Sequence, residues 1–192
     1  MKTGLFFGSF NPIHTGHLAI ASYMIEFTDL DRVWFVVSPH NPLKNKETLL
    51  DDQLRLEMVK LAVNDDPRFD VCDIEFSLPQ PSFTIDTLNH LQQNHPDRVF
   101  SIIMGSDGLV TFNQWKKHLE ITDRFKRYVY PRPETPEIYL KTLENGQLID
   151  APQLEISSTF IREAIAEKRN VRYFVPDIVW KFIISKNLYT NR

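Results

Sequence analysis

Short, near-continuous apolar runs at Leu5–Phe7, Val33–Val37 and Val99–Met104 constrain the fold more than any other feature. Successive strand residues point to opposite sides, so a strand that is apolar throughout has to be covered on both faces. Phe69–Ile74, Arg127–Tyr130 and Leu148-Ile149 read as further strands. Helical spacing fills the intervals. After Gly16, Leu18, Ala19, Ala21, Ser22 and Ile25 give one apolar face, and Leu54, Met58, Leu61 and Ala62 give another behind an Asp51 or Asp52 cap. Helices are also predicted over Thr84–Gln93, Leu109–Trp115, Leu119–Phe125, Ser158–Lys168 and Pro176–Lys186, the last with Pro176 in its first turn. This alternation predicts an α/β fold, a Rossmann-like, doubly wound, mostly parallel sheet with helices on both faces.

With 192 residues and no repeat, low-complexity stretch or dividing linker, one domain over 1–192 is expected, its C-terminal part from about 157 being helical. The balance of 22 basic against 25 acidic residues offers no basic surface for duplex DNA or for a membrane. No apolar run approaches the roughly 18 residues that span a bilayer, and the N-terminus reaches Asn11-Pro12 too soon for a signal peptide. Cys72 is the single cysteine, which excludes an internal disulfide framework and any multi-cysteine zinc site. A cytoplasmic enzyme with neither nucleic acid nor membrane as partner is the expectation.

The glycines point to a site. There are six, less than half the usual share of about 7%, and four fall in two clusters, Gly8/Gly16 and Gly105/Gly108, each behind an apolar run. A glycine-poor chain keeps them where φ is positive or where another backbone or a ligand comes close. Ligands of open α/β sheets bind beyond the carboxyl ends of the strands, at the point where strand order reverses. If strands one and four are neighbours there, both clusters face one crevice.

The segment from Gly8 to His17 lies between a strand and a helix, and it carries neither the P-loop pattern nor the dinucleotide fingerprint. It does set a small-residue turn and two imidazoles, His14 and His17, at a helix N-terminus, where backbone amides and the helix dipole favour an anion. A lone histidine is usually structural, and a zinc pair would need a third ligand that does not stand out. The constellation as a whole favours phosphoryl or nucleotidyl chemistry.

Gly8-Ser9-Phe10-Asn11-Pro12-Ile13-His14-Thr15-Gly16-His17 resembles the GxFDPxHxGH signature of the HxGH nucleotidyltransferase superfamily, and Ile156–Arg162 resembles its second signature, ISSTxIR, about 140 residues on. Three further segments resemble bacterial nicotinate mononucleotide adenylyltransferases. They are Pro81–Leu88 for PSYTxDTL, Gly105-Ser106-Asp107 with Trp115 for GxD…W, and Tyr173–Pro176 for YxVP. The chain departs from the family at Asn11, where Asp is usual, at Phe7-Gly8-Ser9 for Gly-Gly-Thr, and at Leu78–Pro81, which lacks the usual basic residue and glycine. Arg132-Pro133 is followed by Glu134, where glycine is frequent.

The resemblance implies transfer of AMP from ATP to nicotinate mononucleotide, forming deamido-NAD and pyrophosphate in NAD biosynthesis. It implies that His14, His17 and Arg162 are catalytic. Gly8, Ser9, Phe10, Gly105, Asp107, Ser157, Ser158 and Thr159 would join His17 and Arg162 in binding ATP. Lys44, Phe83, Thr84, Trp115 and Arg132 would bind the mononucleotide. Mg²⁺ would accompany ATP, held mainly by substrate phosphates with no protein cage. A homo-oligomer is compatible with the family. The local alternatives are a plain N-cap for Ser157–Thr159 with Arg162 in solvent, an N-cap for Asp107, a core role for Phe83 and Trp115, and a solvated Lys44. Sister transferases with another acceptor fit less well, since pantetheine-phosphate enzymes usually have Thr at the position of His14 and glycerol-phosphate enzymes carry RTxGIST. A silent nucleotide-binding regulator would have no physical need of both histidines and Arg162.

Overall fold

A computed structural model describes residues 1–39, 49–133, 135–141 and 143–190. Its strands are β1 (Lys2–Gly8), β2 (Arg32–Val37), β3 (Phe69–Cys72), β4 (Val99–Gly105), β5 (Lys126–Tyr130) and β6 (Gly146–Leu148). They form one six-stranded sheet in the order β3-β2-β1-β4-β5-β6, and every neighbouring pair is parallel. The helices are α1 (Thr15–Phe27), α2 (Asp52–Val63), α3 (Thr84–Asn94), α4 (Asp107–Thr111), α5 (His118–Arg124), α6 (Glu137–Leu140), α7 (Ser158–Ala166) and α8 (Asp177–Ser185).

The apolar runs behave as their pattern requires. Leu5 and Phe6, Val36 and Val37, Ile102 and Ile103 each split between two cores on opposite faces of the sheet. One core takes Ile20, Ala21 and Met24 of α1, Leu56, Met58, Val59 and Val63 of α2, and the inner faces of α7 and α8. The other takes Ile85, Leu88 and Leu91 of α3, Leu109 of α4 and Ile121 of α5. Each of the larger side chains contributes on the order of 1.5–3 kcal/mol by leaving water.

Several bounds differ from the sequence reading. β3 stops at Cys72, because its last pairing partner on β2 is Val36, and a 3₁₀ turn over Ile74–Phe76 follows. The helix expected over Leu109–Trp115 is α4 plus a 3₁₀ turn, Phe112–Gln114, after which Trp115 is extended. β6 is Gly146–Leu148, starting two residues and ending one residue earlier than expected, and Pro176 sits at the N-cap of α8, not in its first turn.

Candidate active site

Strand order reverses between β1 and β4, with Phe6 opposite Ile103, so Gly8 and Gly105 end at the same level of the sheet. α1 leaves β1 over one face and α4 leaves β4 over the other, which opens a crevice between them. No glycine here has positive φ; the left-handed residue of the first loop is Phe10, at φ 46°. Its ring pins that conformation, buried edge-on against Phe6, Phe35 and His17. Gly8 is glycine because a Cβ there would lie 2.7 Å from the Phe10 ring.

His14 is the N-cap of α1 and is 3% exposed. Its ring stacks on that of His17 at 3.6 Å between centroids. Burial, helped by the positive charge of Arg132, pulls its pKa down to about 3, so the imidazole is neutral across the physiological range. Its Nδ1 is buried with no protein partner. His17 is half-buried, and its Nδ1 accepts the His14 backbone N–H at 3.2 Å. That contact sets the tautomer: in the neutral ring the proton sits on Nε2. Gly16 lets the pair stack, since a Cβ there would come within 3.1 Å of the His14 ring.

The second signature folds back onto this loop. Ser157 caps α7 by accepting from the Phe160 amide at 3.1 Å, Ser158 donates to the Pro12 carbonyl at 2.8 Å, and Arg162 donates to the Asn11 carbonyl at 2.9 Å. Arg162 also donates to Thr159 Oγ1 at 3.3 Å. The capping reading of Ser157 therefore holds, but Arg162 is half-buried against the first loop, not in solvent. Asn11 is buried, and its Oδ1 accepts from the Tyr189 hydroxyl at 2.9 Å and the Leu50 amide at 3.4 Å. The role shown there is that of an acceptor, which an aspartate oxygen fills equally well.

Arg132, expected to flank the nucleotide site, lines the same cleft as His14 and His17, together with Tyr130 and Ile156. Its backbone N–H donates to Ser106 Oγ at 2.8 Å and its Nη2 to the Tyr130 hydroxyl at 3.3 Å, while its Nε is buried without a protein partner. Asp107 is the exposed first residue of α4, with Ser106 at the cap. A Cβ on Gly105 would collide with Asp107 and crowd Arg132, so glycine is what lets these two side chains pack over the end of β4.

Phe83, Thr84 and Trp115 are all half-buried, and none of them lines the cleft that holds His14 and His17. Phe83 is the N-cap of α3, and Trp115 packs on Phe112 at 5.4 Å. Both aromatics border the second core without entering it fully, so a core role accounts for only part of each ring's surface. Lys44 lies outside the described residues.

Two supporting residues escaped the sequence reading. Arg55 is 0% exposed, and its guanidinium donates to the carbonyls of Leu50, Ser9, Ser38 and Pro39 and to Asp52 Oδ1, which employs all five of its N–H groups. Glu75, 3% exposed, accepts from Ser82 at 3.0 Å and Thr87 at 2.8 Å, which fastens the start of α3. The signal for Arg55 is the i, i+4, i+8 row with Val59 and Val63; Glu75 left none in the sequence pattern.

Among the described residues no group of three or more His, Cys, Asp or Glu could hold a metal, and no helix is long and apolar enough to cross a membrane. The family model for cytidylyltransferase-like proteins matches residues 5–164. The chain is 51% identical over 191 residues to a "Probable nicotinate-nucleotide adenylyltransferase" of Flavobacterium johnsoniae, covering 98% of this chain and 99% of that protein. A protein of the same description from Bacteroides fragilis is 51% identical over 185 residues, covering 96% and 92%. In structure the chain is similar to Plasmodium falciparum nicotinic acid mononucleotide adenylyltransferase complexed with NaAD. The TM-score is 0.84 at 21% identity, over 100% of this chain and 98% of that one. The parallel sheet, the paired histidines and identity along nearly the whole chain agree: the protein belongs to the cytidylyltransferase-like family and, within it, to the nicotinate-nucleotide adenylyltransferases.

Proposed function

We propose that the protein transfers AMP from ATP to nicotinate mononucleotide, releasing pyrophosphate and forming deamido-NAD. The observation that carries this reading is the stacked His14–His17 pair at the N-terminus of α1, with Arg132 in the same cleft and Arg162 bonded to the same loop. Positive and neutral donors converge there on a helix N-terminus, an arrangement that suits a polyphosphate.

In the proposed reaction a 5′-phosphate oxygen of the mononucleotide attacks the α-phosphorus of ATP in line. The new P–O bond forms as the bond to the β-bridging oxygen breaks, and pyrophosphate leaves with the electron pair. The nucleophile is already an anion, so no strong base is needed; catalysis rests on position and on charge stabilisation. His17, its Nδ1 occupied by the His14 amide, donates from Nε2 to an equatorial oxygen of the α-phosphate. Neutral His14 serves the same phosphate or its neighbour, and Arg132 adds charge to that cleft. Arg162 with Ser157, Ser158 and Thr159 holds the β- and γ-phosphates, and the backbone of Gly8–Phe10 approaches them from the other side.

Gly105 and Asp107 take the adenosine, and Phe83, Thr84 and Trp115 take the pyridine ring. Mg²⁺ enters with ATP as part of the substrate. The cleft lining fits this, since its charged and polar side chains are two imidazoles, a guanidinium, the Tyr130 phenol and the Gln153 amide, with no carboxylate among them. A cytoplasmic location follows from ATP as substrate, with small molecules as the partners in place of nucleic acid. A homo-oligomer is compatible with the reading.

His17→Ala tests the site. We expect retained folding and ATP binding with turnover down by roughly 10²–10³, the loss typical of one transition-state donor. Near-wild-type turnover would remove His17 from the chemistry.

A further inference from the structure

The ammonium of Lys116 occupies a place that an ordinary surface lysine does not. It follows Trp115 directly, yet its side chain reaches across to the first turn of α3. There Nζ lies 4.6 Å from the centroid of the Phe83 ring and 2.8 Å from Asp86 Oδ2. Asp86, in the first turn, is itself favoured by the dipole of α3. The positive charge is therefore held over one face of Phe83 by a built contact, and its side chain is still 43% exposed and accessible to a ligand.

We infer that Lys116 is a specificity-determining residue that distinguishes a pyridine nucleotide with an anionic ring substituent from one with a neutral substituent. The inference rests on the proposed function, in which Phe83 and Trp115 flank the pyridine ring. A ring placed between them brings its substituent within reach of this ammonium. A carboxylate gains an ion pair with the ammonium in which both partners are charged, whereas a carboxamide oxygen accepts a hydrogen bond from the same ammonium without that second charge. Asp86 holds the ammonium in place and, by sharing its charge, keeps the discrimination finite.

The test is the ratio of kcat/KM for nicotinate mononucleotide to that for nicotinamide mononucleotide, with ATP and Mg²⁺, in wild type, Lys116→Met and Lys116→Arg. Lys116→Met should lower the ratio about tenfold, through KM for the nicotinate form, and Lys116→Arg should stay within threefold of wild type. A ratio within threefold of wild type in Lys116→Met overturns the inference, as does an equal fall in the arginine variant. Both variants alter an exposed side chain, and melting curves confirm that each is folded. If wild type adenylates neither mononucleotide, the functional reading itself fails; if it does so and the methionine variant keeps the ratio, only the role of Lys116 fails.

Discussion

A neutral imidazole at the buried N-cap of α1 makes the fold sensitive to acid. In the unfolded chain His14 takes up a proton as pH falls through about 6.5, whereas burial and Arg132 hold it neutral in the folded state down to about 3. Between these values the unfolded chain binds one more proton, so stability rises with pH by about 1.4 kcal/mol per unit from this residue alone. Urea unfolding at pH 4.5 and 6.0 should show a wild-type loss on acidification about 2 kcal/mol larger than that of His14→Asn. Equal losses would mean that His14 titrates in the folded protein. At this scale the sequence announces which residues matter, because a histidine pair beside glycines at a strand end has few structural uses. It does not announce their state. The desolvation of His14 and the presence of Arg132 in the histidine cleft come from packing between segments far apart in sequence, and the Nδ1 contact of His17 depends on the local backbone conformation at His14.

Helix α2 illustrates what periodicity conveys and what it leaves out. Apolar spacing predicts a face through Leu54, Met58, Leu61 and Ala62, whereas the buried face runs through Arg55, Leu56, Met58, Val59 and Val63. The rotation puts a guanidinium under the first loop, where it ties Ser9 to the exit of β2 at Ser38 and Pro39 and to the entry of α2 at Leu50. Pattern rules treat arginine as surface, so a charge satisfied by main-chain carbonyls from three segments leaves no more than its row with Val59 and Val63 as a trace. Lysine has three donors and no planar fork, so Arg55→Lys leaves buried carbonyls unpaired. We expect it to cost about 2–4 kcal/mol of stability, measured by denaturant unfolding, and to slow turnover through the displaced Ser9 turn. A loss below about 0.5 kcal/mol would show that the five contacts are dispensable. Strand ends fail to read from sequence for a related reason. The apolar content of Phe69–Ile74 continues past Cys72, but pairing stops where β2 offers no further partner.

Across the whole molecule, the alternation of double-faced strands with helices is enough to give the layered parallel sheet. The two glycine clusters locate its crevice as soon as β1 and β4 are neighbours. The route by which the C-terminal helices return could not be read from pattern. α7 and the last turn converge on the first loop through Ser158 on Pro12, Arg162 on Asn11, and Tyr189 on the Asn11 side chain. That return places the second signature against the first and makes one site from residues about 140 apart in sequence. The central claim is adenylyl transfer at that junction. It is tested most directly by pyrophosphate release from ATP and Mg²⁺ with nicotinate mononucleotide and nicotinamide mononucleotide offered in parallel. We expect release with both dependent on the acceptor and strongly favouring the nicotinate form; release with neither would contradict the assigned reaction.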